Sequence, residues 1–134
     1  MKLFESSGIL HYSGEDRLVL EIEKDFGRYY RSLIPKWVGA NGLRYAPHVT
    51  IVRTGKEVPA IKEHWGKYQG EIVSFFYDPI IQNGEVYFWL NVFCKRFEQI
   101  RKELGLPVES IYTLPPEGFQ KCFHTTIARR NIVG

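Results

Sequence analysis

The chain has 134 residues, 44% hydrophobic and 15% aromatic, enough for one domain around one core. Its 18 Lys and Arg against 15 Asp and Glu give a formal charge of +3, which suits a small anionic ligand. A stable complex with long nucleic acid, which needs a dense basic stripe, is not expected. The opening Met1-Lys2-Leu3-Phe4-Glu5-Ser6 turns polar before an apolar run can build, and no window approaches the ~20 apolar residues of a membrane span. The expectation is a cytoplasmic protein, without membrane association, whose Cys94 and Cys122 are reduced.

Taken in chain order, Leu18, Leu20 and Ile22 alternate with Val19 and Glu21, which predicts a half-buried strand from Arg17 to Ile22. A helix is predicted over Lys24 to Leu33, ended by Pro35. Gly39, Asn41 and Gly42 make Trp37 to Leu43 a loop, and Pro47 introduces a strand ending near Arg53. Pro59 to Tyr68 reads as a short helix with Gly70 as its break. Glu71 to Ile81 and Glu85 to Phe93 flank Asn83-Gly84, residues that tolerate the positive φ of a tight hairpin turn. In the second arm Val86, Phe88, Leu90 and Val92 alternate with Tyr87, Trp89, Asn91 and Phe93. Phe97, Ile100 and Leu104 predict a helix over Lys95 to Leu104, with Gly105 and Pro107 as stops. A loop over Pro107 to Gln120 leads into a last strand, Cys122 to Ala128.

Strand, helix, loop and strand thus occur twice, over 17–53 and 85–128, and each copy ends on one pattern. The first is Pro47-His48-Val49-Thr50-Ile51 and the second is Phe123-His124-Thr125-Thr126-Ile127. Side chains two apart on a strand share a face, so each copy sets an imidazole beside a hydroxyl. The expected fold class is α+β, a single domain over 1–134. Its duplicated β-α-β halves form two lobes about a central cleft, with His48 and Thr50 across from His124 and Thr126. Tyr87, Trp89 and Asn91 then face the cleft, while Phe88 and Leu90 lie under the helices.

Breaking a phosphodiester needs a group to take a proton from the attacking oxygen and another to give one to the leaving oxygen. Two imidazoles fill both roles near neutral pH, and neither role is assigned to one histidine by the sequence. Threonine hydroxyls supply donors to the phosphoryl oxygens. A single His-x-Thr carries little information, because a half-buried strand histidine is ordinarily satisfied by a backbone carbonyl. Two copies at equivalent places make a four-residue catalytic site. Cys122 shares a strand face with His124, but two Cys and four scattered His have no recognised ligand spacing, and neither metal nor cofactor is expected.

The paired motifs resemble those of the 2H phosphoesterase superfamily. Further strings are similar to its phage branch of anti-CBASS cyclic-nucleotide hydrolases: Arg28-Tyr29-Tyr30-Arg31-Ser32-Leu33-Ile34-Pro35-Lys36, Arg44-Tyr45-Ala46-Pro47-His48, Trp65-Gly66-Lys67, Tyr87-Phe88-Trp89-Leu90-Asn91 and Glu103-Leu104-Gly105-Leu106-Pro107. The resemblance covers nearly the whole chain. It implies that His48 and His124 are the acid and base, that Thr50 and Thr126 hold the scissile phosphate, and that 3′-5′ linkages of cyclic di- and trinucleotides are cleaved without metal. It also implies that the enzyme works in the host cell cytoplasm, disarming a bacterial immune signal.

Stacking surfaces for the bases are assigned to Tyr12, Tyr77 and Trp89, whose alternative is an ordinary place in the core. Arg53, Lys121, Arg129 and Arg130 flank the motif strands as cations for an anionic substrate. His11 and His64 lie outside the motif. The segment after His124 is shorter than the resemblance leads one to expect, so a lid over the ligand would come from the Pro115 to Phe119 loop or from a partner subunit. Two other readings fit the same residues: an RNA 2′,3′-cyclic phosphodiesterase of RNA repair, and a non-catalytic sponge for cyclic nucleotides.

Overall fold

A computed structural model describes residues 2–110 and 113–131. In chain order the elements are β1 (Phe4–Ser13), β2 (Arg17–Glu21), α1 (Lys24–Ser32), β3 (Ala40–Asn41), β4 (His48–Val52), β5 (Ile72–Tyr77), β6 (Gln82–Asn83), β7 (Tyr87–Phe93), α2 (Lys95–Glu103) and β8 (Phe123–Arg130). The sheet runs β3-β8-β4-β2-β1-β5-β7-β6, and pairing of β7 with β8 closes six of these strands into a barrel. Closure leaves the six without a free edge. The class is α+β, mostly strand, and no helix among the described residues is long and apolar enough to cross a membrane.

The barrel has an internal order that one strand missing from the sequence reading completes. The first half is β1-β2-α1-β4 and the second is β5-β7-α2-β8. Around the barrel β4 lies beside β8 and β1 beside β5, so the halves meet like strand to like strand. Both expected β-α-β units are present, but the strands within each are antiparallel neighbours. The segment that becomes β1, Phe4-Glu5-Ser6-Ser7-Gly8-Ile9-Leu10-His11-Tyr12-Ser13, has too few alternating apolar residues to announce a strand. Its Gly8 is required by packing, since a Cβ there would sit 2.3 Å from the carbonyl oxygen of Glu21.

Alternation does set which side chains enter the barrel. Leu18 and Leu20 of β2, Val49 and Ile51 of β4, Phe88, Leu90 and Val92 of β7, and Phe123 and Ile127 of β8 are buried in one core. Burying a side chain of this size stabilises the fold by about 1.5–3 kcal/mol. Both helices form within a residue of their predicted ends. Phe97, Ile100 and Leu104 are buried as their spacing predicts, and Gly105 takes the left-handed conformation, φ 73°, that follows α2. Helix α1 packs against β8 and α2 against β4, so each helix lies over the motif strand of the other half.

Four local expectations are corrected. Pro59 to Tyr68 is a series of turns, because Gly66 is left-handed at φ 83° and the hydrogen bonds are three-residue ones, such as Trp65 N–H to Lys62 O and Lys67 N–H to His64 O. Asn83-Gly84 is not a two-residue hairpin, since neither residue has positive φ. The Gly84 N–H instead bonds the Tyr87 carbonyl at 3.0 Å, and β5 pairs with β7 through Phe76 and Phe93. The predicted loop from Trp37 to Leu43 contains β3, which extends the sheet beyond β8. The last strand runs two residues past Ala128, to Arg130. Within the expected Pro107 to Gln120 loop, residues 111 and 112 lie outside the described residues, as do residues 132–134 of the segment after His124.

Candidate active site

The two motif strands are neighbours, with Val49 opposite Thr125 and both facing inward. In an antiparallel pair this places His48 across from Thr126 and Thr50 across from His124, all four on the outer face. The flanking strands extend the pattern: Glu21 lies opposite His48 and Val19 opposite Thr50, while Trp89 lies opposite Thr126 and Asn91 opposite His124. The outer wall therefore carries two rows, Glu21-His48-Thr126-Trp89 and Val19-Thr50-His124-Asn91.

Each motif is followed by a β-bulge. Leu18 pairs with Val52 and Val19 with Thr50, which leaves Ile51 as the extra residue of β4. Phe88 pairs with Ala128 and Trp89 with Thr126, which leaves Ile127 as the extra residue of β8. Both bulges come one residue after the motif threonine, and each lets two consecutive residues, Ile51-Val52 and Ile127-Ala128, turn inward. A bulge bends the strand and re-aims its side chains, here at the same point in both halves.

Buried charges fix the surroundings. The Arg101 guanidinium, 2% exposed, donates to the carbonyl of bulged Ile51 at 2.7 Å, to both Glu57 carboxylate oxygens at 3.0 and 2.6 Å and to Pro107 O at 2.8 Å. Burial alone would raise the Glu57 carboxyl, but the Arg101 bonds and charge hold it below its ordinary value. Glu98, also buried, accepts the backbone N–H groups of Gln120 at 2.8 Å and Lys121 at 3.1 Å, fixing the approach to His124. Sequence spacing places Phe97, Ile100 and Leu104 inside. It gives no sign that Glu98 and Arg101 are buried with them, because charged residues on a helix normally read as its wet face.

A cavity of about 750 Å3 opens on this wall, lined by Thr50, His124 and Thr126 together with Trp89, Asn91, Arg53 and Lys121. Its size is that of a small-ligand site. His48 is not among the residues that line this cavity; it lines a different hollow with Val19 and Tyr45, and the Tyr45 ring lies 5.4 Å from its own. The His48 Nδ1 is 3.2 Å from Ala46 O, which directs Nε2 away from the chain. The His124 ring lies 6.4 Å from Trp89, whose indole N–H is held by Asn91 Oδ1 at 3.1 Å. Although His124 is exposed, its pKa is lowered, first by desolvation and then by the charges of Arg53, Lys121 and His48. Desolvation and the Arg101 charge lower Lys121 as well.

The other assigned residues divide. Trp89 is on the wall, half-buried. Tyr12 and Tyr77 point into the barrel: Tyr12 packs edge-on to Trp65 at 4.9 Å, and the Tyr77 hydroxyl bonds that of Tyr30 at 2.7 Å. The structure does not bring either to the motifs. Arg53 and Lys121 line the cavity, whereas Arg130 lies over the Phe88 ring and bonds Asn83, and Arg129 is exposed outside the lining. His11 sits on β1 opposite Val19, 3.8 Å from Glu21, and His64 belongs to the turn segment. Burial raises the Cys122 thiol to about 11 against the pull of Lys121, so it stays protonated near neutral pH. No cluster of three or more His, Cys, Asp or Glu suited to a metal occurs among the described residues. Tyr45, beside His48, is the aromatic that the sequence reading missed as a site residue. Its signals are its position three residues before the motif histidine and its place in the string Arg44-Tyr45-Ala46-Pro47-His48.

Family models, curated proteins and solved structures were each compared with this chain, and none matches it.

Proposed function

We propose that the chain is a metal-independent phosphodiesterase that hydrolyses 3′-5′ linkages of cyclic di- and trinucleotide second messengers, by which a phage evades bacterial CBASS immunity. The observation that carries the chemistry is the pairing of two His-x-Thr motifs on adjacent strands of one wall, each followed by the same bulge, beside a cavity that holds Arg53 and Lys121. The substrate and the biological setting rest on the resemblance of the motifs and accompanying strings. On this reading the barrel is a 2H phosphoesterase fold, its two lobes are the two like-ordered halves, and its cleft is the cavity on the motif wall.

The lowered pKa of His124 favours the neutral ring at pH 7, which suits a general base. His124 takes the proton of a ribose 2′-OH, whose oxygen attacks the adjacent phosphorus. The bond from phosphorus to the 5′ oxygen breaks, and protonated His48 gives that oxygen its proton. Thr50 and Thr126 donate to the non-bridging oxygens, and Arg53 and Lys121 offset the added negative charge. Water then opens the resulting 2′,3′-cyclic phosphate at the new end, with the two imidazoles in reversed roles.

The test is incubation with EDTA and three substrate sets: 3′-5′ cyclic dinucleotides, 2′-5′ isomers and RNA ends bearing 2′,3′-cyclic phosphates. Linear products from the 3′-5′ cyclic dinucleotides are expected, with the 2′-5′ isomers unchanged. Turnover of RNA ends only would move the function to RNA repair, and recovery of tightly bound, unchanged ligand would make the protein a sponge.

A further inference from the structure

The two halves treat the space before the motif histidine differently. In the second half the Glu98 carboxylate accepts the N–H groups of Gln120 and Lys121, which stand four and three residues before His124. The equivalent residues before His48 are Arg44 and Tyr45, and neither backbone N–H has an acceptor among the described residues. Glu98 follows Phe97 on α2; the residue following Phe26 on α1 is Gly27. Where one half is filled by its own carboxylate, the other is open.

That opening is a hollow of about 310 Å3 between α1 and the loop before β4. Its lining holds Lys24, Arg28, Arg31 and Arg44 and contains no acidic residue. Arg28 alone among these has a carboxylate in reach, that of exposed Asp25 at 3.5 Å, among the described residues. Arg31 lies so close to Gly42 that a Cβ there would be 3.0 Å from the guanidinium, which holds the charge at the hollow. Thr126 lines both this hollow and the 750 Å3 cavity, so the two adjoin at a motif hydroxyl.

We propose that this hollow is a second phosphate subsite, where an anionic group of the ligand takes the place that Glu98 fills in the other half. Resting on the phosphodiesterase reading, it names a substrate with at least two phosphates: one reacts at the His-Thr pairs, and the other is gripped by Arg31, Arg44 and the free amides. A cyclic dinucleotide meets that requirement and a mononucleotide does not.

The experiment measures binding of 3′-5′ cyclic di-AMP by calorimetry, with melting temperature as a check on folding. Arg31→Gln/Arg44→Gln is expected to weaken binding at least ~10-fold. Gly27→Glu, which returns the internal carboxylate, is expected to do the same in a folded protein, with Pro47, 3.3 Å from the new Cβ, yielding slightly. Lys67→Gln/Lys102→Gln, which removes two exposed cations elsewhere, should change affinity less than ~2-fold. Unchanged affinity in the arginine variant, or an equal loss in the lysine control, overturns the subsite. No binding by the wild type overturns both subsite and function. Arginine-dependent binding without turnover would support the subsite while removing the phosphodiesterase reading.

Discussion

The carbonyl of Ile51 accepts a hydrogen bond of 2.7 Å from the Arg101 guanidinium. Ile51 is the bulged residue after the first motif, so this contact ties the bend in β4 to α2. Arg101 commits four hydrogen bonds to Ile51, Pro107 and Glu57, which makes it a positioning residue.

Arg101→Ala should therefore destabilise the fold by about 3–5 kcal/mol, because it strands Glu57 and the buried Ile51 carbonyl. In Arg101→Lys the charge survives but the planar fork is lost. The positioning role predicts that this variant, where it folds, lowers kcat with little change in KM. Chemical denaturation and steady-state kinetics measure the two effects; an Arg101→Ala protein of wild-type stability would refute the role.

Thr125, the middle residue of the second motif, is wholly buried, and its hydroxyl has no partner among the described residues. Valine has nearly the same shape and no group to leave unsatisfied. Thr125→Val should raise stability by about 1 kcal/mol and leave turnover within ~2-fold of wild type. Consecutive threonines on the strand are thus separated by face: Thr126→Val should lose activity where Thr125→Val does not.

Period-two alternation in β2, β4, β7 and β8 is strong enough in the sequence to place His48, Thr50, His124, Thr126, Trp89 and Asn91 on one wall. That much of the site is legible because each of these strands has one face in an apolar core. The closed barrel is not legible, because β1 has weak alternation and owes its place to pairing with β2 and β5 and to Gly8. Arg101 and Glu98 escape for another reason. Their burial is licensed by backbone partners far away in sequence, Ile51 and Lys121 among them, and such partners exist only after folding. Tyr12 and Tyr77 illustrate the converse, since an aromatic side chain in a strand reads alike whether it meets ligand or core.

Desolvation and neighbouring cations lower the pKa of His124 below 6.5. Between 6.5 and the lower folded value the unfolded chain binds more protons than the folded one, so stability falls as pH drops through that window. His124→Gln should flatten this slope in pH-dependent denaturation. On the proposed mechanism, the acid limb of kcat/KM also lies below pH 6.5, and Arg53→Gln with Lys121→Gln should move it upward. An acid limb unmoved by removing both cations would detach it from His124.

Alanine at either motif histidine should lower turnover at least ~10²-fold while cyclic dinucleotide binding persists, since the acid and base act on protons and the grip on phosphate comes from hydroxyls and cations. Full activity in His48→Ala or His124→Ala would take that residue out of the reaction.

The aromatic residues separate recognition from folding. Trp89 stands on the motif wall with its indole N–H held by Asn91, so its ring is oriented before any base arrives. Trp89→Ala should weaken cyclic dinucleotide binding by ~1–3 kcal/mol, the worth of one stacked base. Tyr77 has its hydroxyl in a buried bond with Tyr30, and Tyr77→Phe leaves that partner unsatisfied. This change should cost about 1 kcal/mol or more of stability and leave ligand affinity unaltered. Titration calorimetry on both variants, paired with denaturation, distinguishes them: loss of affinity in Tyr77→Phe without loss of stability would place the ligand inside the barrel mouth and not on its outer wall.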